Sequence, residues 1–141
     1  MSEMYAGSFD QLDGISGAPA PPVTLGPYSA TVTAGGLVFV SAQAGVDPDT
    51  GAVPPGGFEA ECKQAFANLV QAVASAGVGA PDIVKVTVLY SEPDGFPTVN
   101  SVFASFFPER PPARTSAIVQ LAGGKRIAVD AIAVAADRGR A

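Results

Sequence analysis

Ala30-Thr31-Val32-Thr33-Ala34-Gly35-Gly36-Leu37-Val38-Phe39-Val40-Ser41-Ala42 decides how this chain begins to fold. Two runs rich in β-branched residues flank a Gly-Gly pair. A two-residue hairpin turn needs positive φ at both central positions, which glycine adopts without strain. The stretch therefore predicts a tight antiparallel hairpin. Upstream, Gly26-Pro27-Tyr28-Ser29 reads as a turn that delivers Tyr28 to the first strand. In isolation this tyrosine reads equally well as an aromatic covering a sheet edge. Residues 1–22 read as a flexible amino-terminal arm in which Tyr5, Phe9, Leu12 and Ile15 are interspersed. The arm ends in the polyproline-like Ala18-Pro19-Ala20-Pro21-Pro22, and a single domain is expected over 23–141.

Downstream of the hairpin, Asp47-Pro48-Asp49-Thr50-Gly51 is a second turn. From Phe58 to Ala76 the period changes: Cys62, Phe66, Leu69, Val70 and Val73 share one face of an amphipathic helix closed by Gly77 and Gly79. Cys62 lies on that stripe and reads as a core residue, not a nucleophile. Ile83 to Tyr90 reads as a strand with Val84, Val86, Val88 and Tyr90 on one face and Lys85 and Thr87 on the other. A second helix is expected from Phe96 to Phe107, capped by Asp94, with Pro97 in its first turn and Val99, Val102, Phe103 and Phe106 as its buried stripe. Two strands follow, about Arg114 to Leu121 and Arg126 to Ala135, joined by a short Gly123-Gly124 turn. The order β-β-α-β-α-β-β is that of an α+β domain, a mixed sheet with both helices packed on one face. The other face, small and apolar, then needs a partner, read here as a further copy of the chain.

Composition narrows the function. Hydrophobic residues make up 48% of the 141 positions and charged ones 15%, too few to cover the outside of so small a domain, so part of the surface is expected to be buried against another subunit. A net charge of −5, with 8 scattered Lys and Arg, argues against nucleic-acid binding. The absence of histidine removes Ser-His-Asp triads, Cys-His pairs and His-ligated zinc. One cysteine rules out an intrachain disulfide. No apolar run approaches a membrane span, and the amino terminus lacks a signal-peptide pattern, so a cytoplasmic protein is expected.

Pro111-Pro112-Ala113-Arg114-Thr115-Ser116 places an arginine at the mouth of the apolar run Ala117-Ile118-Val119-Gln120-Leu121. The prolines force an extended approach. A guanidinium there offers a bidentate fork for a carboxylate; the plainer reading is an exposed charge at a strand end.

Taken in order, Gly26-Pro27-Tyr28-Ser29, Leu37 to Gln43, Asp47 to Gly51, Asp82 to Val88, Thr98-Val99-Asn100, Pro112 to Ser116 and Ala131-Ile132-Ala133-Val134 make the chain resemble the Rid family (YjgF/RidA-type reactive-intermediate deaminases) from Val23 to Ala135. The resemblance implies a chorismate-mutase-like fold, a homotrimer and small-molecule clefts between subunits. It also implies hydrolysis of enamines and imines such as 2-aminoacrylate and 2-iminopropionate to a keto acid and ammonia. Under it, Arg114 binds the substrate carboxylate, Tyr28 and the backbone at Ser41 and Ala42 line the pocket, and Ser116 falls where many relatives carry a cysteine. Asn100 matches a recurrent position read as mainly structural. The family's last strand usually alternates acidic and apolar residues, its first acid positioning the attacking water. Here Ala128 occupies that first position and Asp130 the second, about 7 Å along the same strand face. Ala42 also stands where relatives usually carry glycine.

Imine hydrolysis asks only for orientation, a water and a proton, so a carboxylate clamp and backbone groups serve without histidine, metal or cofactor. Two alternatives stay open: a weakly catalytic or non-catalytic trimer that binds small carboxylates in the same clefts, and the endoribonuclease or translation-inhibitor role ascribed to some relatives.

Overall fold

The computed structural model describes residues 18–135. Tyr5, Phe9, Leu12 and Ile15 lie outside them. The elements are β1 (Thr31–Ala34), β2 (Leu37–Ala44), α1 (Gly57–Ser75), β3 (Ile83–Tyr90), α2 (Phe96–Phe106), β4 (Ala113–Ile118) and β5 (Ile127–Val134). They build an α+β unit with one five-stranded mixed sheet, ordered β1-β2-β5-β3-β4. The β1–β2 hairpin turns on Gly35 and Gly36, at φ 59° and 79°. The crossover through α2 makes β3 and β4 parallel, and every other pairing is antiparallel.

One face of the sheet carries Val38, Val40, Val86, Val88, Ile127, Val129, Ala131 and Ala133, all buried beneath the helices. Phe66 on α1 meets Phe103 on α2 edge-on, with centroids 5.9 Å apart. Cys62 is fully buried in this core. Among the described residues no layer covers the other face, where Phe39, Val84 and Val134 are exposed.

Four details depart from the sequence reading. The cap of α2 is Gly95, whose position leaves Asp94 with no capping bond. Val84 is 45% exposed, because the β3–β5 pairing is irregular between Ile83 and Lys85 and Ile83 takes the inward place. β4 ends at Ile118, short of Leu121. Finally, β4 and β5 are near in sequence but not neighbours in the sheet, since β3 lies between them. The connection rounds the end of β3 through a 3₁₀ turn at Ala122–Gly124, pinned by Val119 N–H donating to Tyr90 O and Ser91 N–H donating to Arg126 O. At the linker, Pro22 is buried and Gln71 Nε2 donates to Ala20 O at 3.3 Å.

Candidate functional site: two half-sites on one chain

Arg114 and Ser116 sit on the edge strand β4, opposite Val86 and Val88 in the parallel register, so both project to the helix side. Arg114 Nη2 donates to Asn100 Oδ1 on α2 at 2.7 Å. Its guanidinium lies 4.8 Å from the Phe103 ring centre and 5.6 Å from that of Phe96. Stacking and one hydrogen bond fix the plane of the fork and leave its other N–H groups open to an anion. Asn100, read from sequence as mainly structural, is thus the residue that aims the arginine. Ser116 Oγ is enclosed and has no hydrogen-bond partner among the described residues.

The other residues gather elsewhere. In the β2–β5 pairing Val40 faces Ala131 and Gln43 faces Val129, so Ser41 and Ala42 together oppose the single residue Asp130. This is a β-bulge. Val40, Gln43, Val129 and Ala131 are buried on the helix side, which leaves Ser41, Ala42 and Asp130 to the open face. Ser41 Oγ donates to Ser29 O at 2.6 Å, fastening the bulge to the segment that carries Tyr28. Tyr28 and Ala42 line one cleft of about 210 Å³, together with Leu25, Val46 and Pro48.

The structure therefore brings Tyr28 and Ala42 to one cleft, with Ser41 and Asp130 at the adjoining bulge, and separately gathers Arg114, Ser116 and Asn100. It does not join the two sets. β5 and β3 stand between β2 and β4, about 14 Å of sheet. Chain order alone could not reveal this, because which face a strand residue occupies depends on bulges and on neighbours. Among the described residues no cluster of His, Cys, Asp and Glu could hold a metal ion.

Sequence reasoning also missed Glu61. Its carboxylate, 2% exposed, accepts from Arg126 N at 2.7 Å and from Arg126 Nε at 2.9 Å. Arg126 further approaches Glu92 at 3.7 Å and the Phe58 ring at 6.0 Å. A glutamate beside a cysteine on an apolar helix stripe was the one available signal.

An α+β unit thus presents an arginine held by Asn100 and two aromatic rings, and a small cleft elsewhere on its surface. Residues 18–136 match the family described as Endoribonuclease L-PSP. The chain is 38% identical over 114 residues to the 2-iminobutanoate/2-iminopropanoate deaminase of Mus musculus, covering 80% of this chain and 84% of that protein. Among solved structures, E. coli TdcF with bound serine superposes with a TM-score of 0.78 at 30% identity, covering 84% of this chain and 98% of that one. The YjgF gene product of E. coli gives 0.75 at 36% identity, covering 81% and 92%. The chain belongs to the Rid (YjgF) family.

Proposed function

We propose that this protein is an imine deaminase. It hydrolyses 2-iminopropionate-type substrates to a keto acid and ammonia in clefts formed between copies of a chorismate-mutase-like homotrimer. The observation that carries the reading is the separation of the two residue groups on one chain; in this reading each supplies what the other lacks. The name of the murine relative supports the chemistry, and the serine bound to TdcF supports a small carboxylate ligand.

In this reading Arg114 of one copy holds the substrate carboxylate, with Ser116 Oγ as a further donor beside it. Tyr28, Ala42 and the backbone at Ser41 of a second copy enclose the imine end. A water near Asp130 adds to the C=N carbon while a proton passes to nitrogen. The carbinolamine then collapses, forming C=O and releasing ammonia. The outlying apolar residues Phe39, Ile132 and Val134 of the open face pack between copies.

A second reading, ligand binding without turnover, is favoured by Ala128. It lies on the open face between Ala44 and Leu89 and offers no group that could hold a water or a proton. The endoribonuclease reading gains nothing from a chain of net charge −5 with no histidine. The test is ammonia and keto-acid release from freshly generated 2-iminopropionate. The wild type should accelerate it and Arg114→Ala should not; a wild type that binds 2-oxo acids without accelerating release would support the second reading.

A further inference from the structure

The bulge at Ser41–Ala42 leaves a residue of β2 without a ladder partner, and the strand pair is held at both ends of this irregularity. At one end, Ala135 N–H donates to Gly36 O at 2.9 Å, closing β5 onto the hairpin turn. At the other end the last pair is Ala44 with Ala128. Just beyond it stands Glu61. Gly45 passes so close that an added Cβ would run into Glu61 O and lie 2.6 Å from Glu61 Cγ. On the opposite side both carboxylate oxygens of Glu61 hold Arg126, the residue before β5, whose carbonyl in turn receives Ser91 N–H from the end of β3.

β5 needs such a pin. Ile127-Ala128-Val129-Asp130-Ala131-Ile132-Ala133-Val134 is apolar at every position but Asp130, so a slip by two residues keeps Ile, Val and Ala facing the core. Hydrophobic pattern specifies its register weakly. A slip would also carry Asp130 about 7 Å from the bulge. Burying an ion pair adds little net stability, but it penalises every arrangement that breaks it, because the orphaned charge stays desolvated.

We propose that the Glu61–Arg126 pair is the positioning device of the Tyr28/Ala42/Asp130 half-site. It fixes the stagger of β5 against β2, and through it the bulge that sets Ser41 and Ala42 opposite Asp130. Glu61 touches no substrate; it acts through the strand. The inference rests on the deaminase reading for its effect on turnover, but not for its effect on register.

The experiment pairs kinetics with cross-strand NOEs for Val40–Ala131 and Ala44–Ala128, the pairs that flank the bulge in the β2–β5 register. The variants are Glu61→Ala, Glu61→Gln, which keeps one acceptor, and Arg126→Lys, which keeps the backbone N–H and loses the Nε bond. Glu61→Ala should weaken or shift these β2–β5 contacts and lower kcat at least tenfold with KM within about threefold, since Arg114 is untouched. Glu61→Gln and Arg126→Lys should fall between it and the wild type in both readouts. If Glu61→Ala does not fold, the two milder variants carry the test. Intact contacts and unchanged kcat in all folded variants would overturn the proposal, as would a kcat loss with the contacts intact. A wild type without turnover would defeat the deaminase reading alone, and the NOEs would still decide the register.

Discussion

Arg114 keeps one hydrogen bond and two aromatic neighbours for itself and offers the rest of its fork outward. Among the described residues Asp130 has no such fixed partner, and it sits opposite a bulge; in the proposed function its contribution to turnover runs through a water. Asp130→Asn should therefore lose less kcat/KM than Arg114→Ala, and Ala128→Glu, which adds an acid on the same face, should raise kcat. Steady-state assays of the three variants check this; equal losses at 114 and 130, with no gain at 128, would show the assignment of roles to be wrong. Cys62 is a different case. Burial, with the neighbouring Glu61 carboxylate adding to it, pushes its thiol up to about 12. A folded pKa above the unfolded value of 9.0 means a stabilising effect that is complete below pH 9 and lost as pH climbs towards 12. Native protein should thus resist thiol reagents at pH 8, and the stability advantage of wild type over Cys62→Ala should shrink above pH 9 in denaturant titrations.

At the scale of elements, much was legible because local rules and tertiary packing agree. Gly35-Gly36 demands positive φ and marks the hairpin, and the 3.6-residue spacing of Cys62, Phe66, Leu69 and Val73 marks α1. What stayed illegible depends on long-range partners. The strand period alone put Val84 inward, whereas the irregular pairing with β5 turns it out. The bulge at Ser41–Ala42 leaves no trace in composition. Apart from its place beside Cys62, nothing local marks Glu61, because its partner lies 65 residues away. The Gly45 approach belongs to this scale too. Gly45→Ala drives a methyl into the backbone of α1 and should destabilise the fold by about 1–3 kcal/mol, read as a lowered midpoint in urea. A midpoint equal to wild type would mean that β2 and α1 are not held together at this point.

For the molecule as a whole, one chain presents two unlike surfaces: a helix-side arginine on an edge strand, and an open sheet face with a cleft at its border. Under the proposed function, neither half-site binds and turns over an imine alone. The proposed assembly would explain both the shortage of charge read from composition and the apolar face of the sheet left uncovered among the described residues. The most direct measurement mixes two inactive variants, Arg114→Ala and a cleft-blocking Ala42→Trp, after unfolding and refolding them together. If each site takes its arginine from one copy and its cleft from another, random mixing of equal amounts restores about a quarter of wild-type activity. Mixed assemblies that form but stay inactive would contradict the shared site.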